Sequence, residues 1–348
     1  MDILKKYIFE QINFETLAIL FSLMLVVAGF TKLGYIDMLA EKIIDNAKNR
    51  RSLILLMVMA CFFISMLVTN DVALILMVPF AIGVLSKSGK SDCLIFVVVM
   101  QTIAANLGSM LTPIGNPQNV YLYQYYEMNL QQFFGAVFPY ALASFVLIFI
   151  IVIVQKGGSE TVEISDGEKT DFVFKPLKTT VYTVCLVLCV LSVLNVVNIF
   201  ITLAVVTILV LACDYKLIKE VNYGLLVKFI FLFILVGNLA GIPVIKDNLS
   251  SITQGNEFAC GVIFSQFLSN VPAAIMLSRF TVNGTALLEG VNVGGLGTLI
   301  ASMASMISYE FYGKVTGADR KKYVKYFTIY NVIFLIVMLL VRLVIVKR

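Results

Sequence analysis

The chain contains no histidine, and only 14% of its 348 residues are charged. Without imidazole it lacks the commonest base for a catalytic nucleophile, a common metal ligand and a proton shuttle near neutral pH. Its six cysteines (Cys61, Cys93, Cys185, Cys189, Cys213 and Cys260) lie in or beside apolar runs without paired metal-ligand spacing. Cys185 and Cys189 merely share one helix face, and all six are expected to be small apolar packing residues. An intramembrane enzyme needs a nucleophile with its base or a metal cluster, so no enzymatic activity is expected. The polar stretch from Met1 to Glu15 lacks the pattern of a cleavable signal peptide, so the first apolar segment is expected to remain.

What the chain does have is apolar sequence: 60% of residues are hydrophobic and the mean hydropathy is +0.95. That exceeds what one soluble core of this size encloses, and the lipid bilayer is the solvent that accounts for it. Several runs reach the roughly 20 residues needed to cross a hydrocarbon layer about 30 Å thick. The net charge of +5 is spread over short loops between these runs. That distribution reports topology rather than affinity for nucleic acid, and it predicts a multi-pass protein of the plasma (inner) membrane.

Two runs carry polar residues where an uninterrupted span would place them at mid-bilayer. Thr69, Asn70 and Asp71 stand at the centre of residues 52–86, and Ser269, Asn270 and Pro272 at the centre of 258–282. Buried carboxylates and amides are costly in hydrocarbon, so each run is predicted to be a re-entrant hairpin of two half-helices with its polar tip against protein or water. After each hairpin comes a Gly-rich stretch flanked by apolar helix, "NLGSMLTPIGNPQNVYLY" from Asn106 and "GVNVGGLGTLIASMASMISY" from Gly290. Glycine permits unusual backbone angles and Pro113 and Pro117 cannot continue a helix, which predicts transmembrane helices broken within residues 92–126 and 290–310.

The order of hairpin, broken helix and final helix occurs twice, in residues 14–154 and 198–346. A charged cytoplasmic linker (155–176) and a connecting helix (177–197) separate the two. Lys42, Lys48, Arg50 and Arg51 precede the first hairpin and Lys87 and Lys90 follow it, which places both its ends in the cytoplasm. Threading onward brings the second hairpin in from outside and returns Lys314, Arg320, Lys321, Lys322 and Lys325 to the cytoplasm. Arg342 falls near an external C-terminus. The fold class is therefore an all-α polytopic membrane protein with inverted-topology repeats, and the binding site of such a protein lies between the repeats. Residues 36–48 and 241–257, which mix apolar and charged side chains, are expected to lie in the membrane interface as amphipathic helices. Tyr121, Tyr123, Tyr125 and Tyr126 are expected at the outer boundary, in an aromatic belt.

Half-helix N-termini offer N–H groups and a positive dipole end, and unwound backbone offers carbonyls, so anion and cation can bind side by side. The expected substrate-binding residues are Thr69, Asn70, Asp71, Thr112, Asn116, Ser269, Asn270 and Thr298. Hydroxyls, amides and carbonyls are hard oxygen ligands that suit a sodium ion, with Ser65, Asn70, Gly108, Gly115, Ser265, Asn270, Gly294 and Gly295 as the expected set. Bland readings stand beside these. Asp71 could also cap a helix or carry a proton, Ser65 and Ser265 could bond their own helix carbonyls, and the glycines could serve close packing.

The stretches "LVTNDVALILMVP", "NLGSMLTPIGNPQN", "SQFLSNVPAAIMLS" and "NVGGLGTLIASMASMISY" resemble, in order, motifs of the ion transporter superfamily, which includes divalent anion/sodium symporters, citrate carriers and arsenite permeases. The resemblance implies an elevator-type carrier, often a homodimer, whose hairpins and broken helices move against a scaffold. In the symporter branch each tip reads Ser-Asn-Thr, with sodium near the Asn and substrate carboxylates near the hydroxyls. Here the tips are Thr69-Asn70-Asp71 and Ser269-Asn270-Val271. An ionised Asp71 would repel a carboxylate and Val271 cannot hydrogen-bond one, so the expectation is a small inorganic or organic anion moved with sodium. The alternative is a sodium/proton antiporter or arsenite-type efflux permease that uses Asp71. Against the repeat, the first half has one scaffold helix where the second has three, so two further helices are expected upstream, naturally lost or missing from this chain.

Overall fold

A computed structural model describes residues 7–35, 38, 42, 46–87, 91–155 and 174–346, and the ordered elements among them are helical. Among the described residues six helices are long and apolar enough to cross a membrane, which makes the chain a polytopic membrane protein. In chain order, α1 is Phe14–Lys32, α2 Arg50–Leu67, α3 Asn70–Lys87, α4 Leu94–Ser109 and α5 Pro117–Tyr125. Helix α6 is Leu130–Val154, α7 Pro176–Val193, α8 Ile199–Cys213, α9 Tyr223–Ala240 and α10 Pro243–Thr253. Then follow α11 Glu257–Leu268, α12 Asn270–Ser278, α13 Gly284–Gly294, α14 Met303–Gly313 and α15 Arg320–Val346.

Asparagine punctuates this sequence. Asn13, Asn49, Asn116, Asn129, Asn198, Asn222 and Asn283 each accept a backbone N–H of the helix they precede, and Asn49 and Asn129 form capping boxes with Ser52 and Gln132. Pro117, Pro176 and Pro243 open the first turns of α5, α7 and α10, where the missing N–H costs nothing. The 25 residues of α6 and 27 of α15 make rods of about 37 and 40 Å, longer than the hydrocarbon core.

Helices α2 and α4 pack together more extensively than any other pair, and α11 with α13 come next. Gly108 and Gly294 show why. A Cβ on Gly108 would lie 2.7 Å from the Ser65 hydroxyl, and one on Gly294 would lie 2.7 Å from that of Ser265, so only glycine lets these backbones meet. The distal helices cross over: α14 packs on α3, and α5 packs on α12. Helices α1, α7 and α8 form a separate packed group beside these.

Two expectations change. Tyr121 and Tyr123 are buried rather than belted at a membrane boundary. Helix α5 is covered by α12, where the Tyr121 hydroxyl meets Ser278 Oγ at 2.9 Å and Tyr126 donates to the carbonyls of Ser278 and Thr281. The unwinding also begins later than the glycines suggest, since α4 stays helical through Ser109 and α13 through Gly294. Gly108 and Gly294 are thus helix-packing positions within the last turns. The expected interfacial helix at 241–257 coincides with α10, whereas most of that at 36–48 and of the linker at 155–176 lies outside the described residues.

Candidate functional site

The first tip lies between α2 and α3, where Val68 is extended and the chain restarts as helix at Asn70. The N–H of Asn70 donates to the Gly115 carbonyl at 3.0 Å, joining the tip to the segment that separates α4 from α5. The Asn70 side chain accepts from Asp71 N–H at 3.0 Å and donates to Asn106 Oδ1 at 3.0 Å. The second tip is a single residue, Ser269, at φ +76° and ψ 153° between α11 and α12. Its hydroxyl is buried and has no hydrogen-bond partner among the described residues. The Asn270 amide lies against Gly295, where α13 ends.

Behind the tips lies a reciprocal network of buried amides and hydroxyls. Asn106, on α4, accepts from Asn70 Nδ2 and from Ser302 Oγ, both at 3.0 Å, and donates to Ser305 Oγ at 3.5 Å. Asn292, on α13, accepts from Asn116 Nδ2 at 3.0 Å and donates to Asn119 Oδ1 at 2.7 Å. Asn106 and Asn292, Asn116 and Ser302, and Asn119 and Ser305 are three pairs with the same sequence offset. Each half of the chain therefore holds the key asparagine of the other. Of these residues the sequence reading singled out only Asn70 and Asn116. The signal available to find the rest was that common offset, which aligns Asn-x-Gly at 106–108 with Asn-x-Gly at 292–294.

The remaining expected residues divide by position. Ser65 and Ser265 donate to the Phe62 and Gly261 carbonyls at 2.7 and 2.6 Å, so both hydroxyls are back-bonded while keeping lone pairs toward Gly108 and Gly294. Thr112 and Thr298 are not in the network. Their hydroxyls tie the unwound segments to the hairpins, donating to the carbonyls of Met66 at 2.6 Å and of Gln266 at 3.0 Å. Thr69 and Asp71 face away from it, into a crevice of about 420 Å³ between α1, α3 and the start of α9, which Thr31, Lys32 and Glu220 also line. At its edge Lys32 Nζ meets Asp214 Oδ2 at 2.7 Å, and this bond holds the Asp214 carboxyl below its ordinary value.

One cluster escaped the sequence reading. Glu289 on α13 pairs with Arg342 on α15 and accepts from Tyr140 Oη at 3.2 Å, and the guanidinium lies 4.9 Å from the Phe258 ring centroid. Among the described residues no group of three or more cysteine or carboxylate side chains could hold a metal ion.

Against known proteins, the chain is 30% identical over 304 residues to an uncharacterised transporter of Methanocaldococcus jannaschii, covering 86% of this chain and 82% of that one. It is 28% identical over 307 residues to the inner membrane protein YbiR of Escherichia coli, covering 85% and 79%. The low-affinity phosphate transporter of Saccharomyces cerevisiae is 27% identical over 255 residues, covering 72% of this chain and 24% of the yeast protein. A family profile described as citrate transporter matches residues 2–289, most of the chain. The chain therefore belongs to the CitMHS citrate transporter family of membrane transporters, within the ion transporter superfamily, and is not an enzyme.

Proposed function

We propose that this transporter is a secondary active carrier of a small anion in the plasma membrane, coupled to sodium and working by alternating access. One observation carries the reading: three interruptions of helix, at residues 68–69, 110–116 and 295–302, meet in one buried polar network, and the fourth, at 269, sets Asn270 against Gly295 beside it. Polar groups and free backbone in lipid are tolerated where they serve a substrate or ion path. The two segments 14–154 and 198–346 are taken as inverted repeats, each with a re-entrant hairpin (α2–α3 and α11–α12) and a broken helix (α4–α5 and α13–α14).

On this reading α2–α6 and α11–α15 form the moving body of an elevator, and α1 with α7–α9 form the scaffold. The crevice beside Thr69 and Asp71 lies between them, bordered by the basic and acidic side chains of Lys32 and Glu220 on the cytoplasmic side. The anion binds at the two tips, against the N-termini of α3 and α12, with Thr69, Asn70, Ser269 and Asn270 as donors. Sodium takes oxygens near Ser65, Gly115, Ser265 and Gly295. The homodimer that the family resemblance implies would form through the scaffold, at α8 and α9, whose outer faces carry the exposed apolar side chains Ile201, Ile208, Val227 and Phe231.

The test is uptake into proteoliposomes of radiolabelled citrate, phosphate, sulfate or arsenite, driven by an inward sodium gradient. Sodium-driven uptake of one anion that Asn70→Ala and Asn270→Ala both abolish is the expected result. Uptake indifferent to sodium but driven by a proton gradient and lost in Asp71→Asn would replace the coupling with the proton-linked alternative.

A further inference from the structure

Both unwound segments are closed by a side-chain carboxamide from a flanking helix, Asn119 from the helix that follows the first and Gln266 from the hairpin packed on the second. The Asn119 amide nitrogen, at the start of α5, donates to the carbonyls of Ser109, Met110 and Thr112 at 3.4, 3.1 and 3.0 Å. The Gln266 amide nitrogen, on α11, donates to the carbonyls of Val262, Gly294 and Leu296 at 3.2, 2.9 and 2.9 Å. Each orientation is fixed by the oxygen at the other end. Gln266 Oε1 accepts the Thr298 N–H at 3.0 Å, and Asn119 Oδ1 accepts from Asn292. The second segment also fits around its plug, since a Cβ on Gly297, at φ +106°, would run into the Gln266 carboxamide.

Three converging carbonyl oxygens form the kind of hard-oxygen cage that takes a cation. An NH₂ group is a neutral, tethered substitute, because it offers two polarised hydrogens to the same lone pairs and needs no ion. We infer that Asn119 and Gln266 are built-in occupants of two cation cages, and that a sodium ion enters either cage only by displacing the carboxamide. The inference rests on the proposed transport site and adds a specificity device to it. With the plugs in place these six carbonyls have a donor in the absence of sodium, so coupling becomes a competition between the ion and an amide.

Replacing NH₂ by oxygen reverses the chemistry at nearly constant shape. In Gln266→Glu an ionised oxygen faces the Gly294 and Leu296 carbonyls, an arrangement that needs a cation between them. Purified wild type, Gln266→Glu and Asn119→Asp are to be unfolded thermally at pH 8 in sodium, potassium or choline chloride of equal ionic strength. The expected result is a sodium-specific stabilisation of each variant at concentrations at least about tenfold below any the wild type requires, the factor that one hydrogen bond to a charged group is worth. A variant that folds only in sodium supports the inference in the same way. Folded variants that respond to sodium no more than wild type, or are stabilised solely by acidification, overturn it. If Gln266→Glu yields no folded protein in any salt, Asn119→Asp decides, and its lack of response overturns the inference too. Sodium-driven uptake by wild type is read separately. Variants that gain the response while wild-type uptake ignores sodium would retain the plugs and discard the coupling.

Discussion

Ser269 places two costs at one residue, and replacing it should therefore make the resting protein more stable while weakening its binding. Its backbone lies at φ +76° and ψ 153°, a region essentially reserved for glycine, which costs a non-glycine residue about 1–3 kcal/mol. Its buried hydroxyl lacks a partner among the described residues, at a further cost of about 1–3 kcal/mol. Ser269→Gly removes both, and against this stands about 0.5–1 kcal/mol for the extra freedom glycine has in the unfolded chain. The balance favours the variant by about 1–5 kcal/mol. Ser269→Ala removes only the hydroxyl, so the order of stability without ligand should be Gly, then Ala, then wild type. With a saturating transported anion the order should compress or invert, since a ligand at about a hundred times its dissociation constant adds roughly 2.7 kcal/mol to a protein that still binds it. Thermal unfolding in detergent, with and without the anion, reads both effects, and proteoliposome uptake reads the loss of transport. A ligand-free Ser269→Gly protein less stable than wild type would refute the reasoning, because it would mean that the hydroxyl and the backbone angle are already compensated within the fold.

Further outcomes follow from the same geometry. Gly294→Ala, which drives a Cβ to 2.7 Å from the Ser265 hydroxyl and 2.9 Å from the Gly261 carbonyl, should lower stability by about 1–3 kcal/mol by thermal unfolding, and Ser265→Ala in the same chain should recover part of it. Glu289→Leu should cost about 3 kcal/mol, because it leaves the partly buried Arg342 unpaired, whereas Glu289→Leu with Arg342→Leu should cost markedly less in the same assay. The Lys32–Asp214 pair has a carboxyl held below its ordinary value of 3.8 by the lysine, so its stabilisation should be present above that pH and be lost as pH falls through the lowered value. A pH series comparing wild type with Lys32→Met should therefore converge at acid pH, and the difference near neutrality should be under about 1 kcal/mol for a pair whose lysine is half exposed. Asp71→Asn should leave sodium-driven anion uptake intact and abolish any sodium/proton exchange, which a pH-sensitive dye trapped in the vesicles will report.

The helix interruptions were legible because apolar sequence makes polar residues conspicuous. Thr69-Asn70-Asp71 and Ser269-Asn270-Pro272 stand alone in long hydrophobic runs, and Pro113 and Pro117 deny a helix its hydrogen bonds. Asn106 and Asn292 were less legible because each lies within helix, a few residues before the backbone opens, and its role comes from residues far along the chain. Gln266 carries no sequence signal of its role, because only the fold brings the 294–298 segment around it. Tyr121 and Tyr123 were misplaced for a related reason. An aromatic face covered by another helix and one turned to lipid headgroups have the same composition, and α12 decides between them. The sequence offered no reason to connect Glu289 with Arg342, because their pairing depends on how α13 meets α15.

The reciprocal bonding of Asn106 and Asn292 bears on how such a carrier would move. If each hairpin opened alone, as a gate, its tip would have to part from an unwound segment whose own position is fixed by the other half. Opening the first tip breaks the Asn70–Asn106 and Asn70–Gly115 bonds, and Asn106 is in turn held by Ser302 and Ser305. Those groups are buried, so each bond lost without replacement costs the desolvation of its donor and acceptor, about 1–3 kcal/mol apiece. The surface between α1, α3 and α9 is different, because a crevice of about 420 Å³ already separates much of it and apolar side chains such as Met24, Val27, Val72 and Ile75 line it. Sliding the body past α1 breaks one buried side-chain bond, from Thr16 Oγ1 on α1 to Gln124 Oε1 on α5 at 3.3 Å, where opening the first tip alone breaks two. On the proposed reading, the cheaper route to alternating access is therefore displacement of both tips and both unwound segments as one body past α1 and α9, and a disulfide between α5 and α12 should leave transport intact where one between α1 and α3 arrests it.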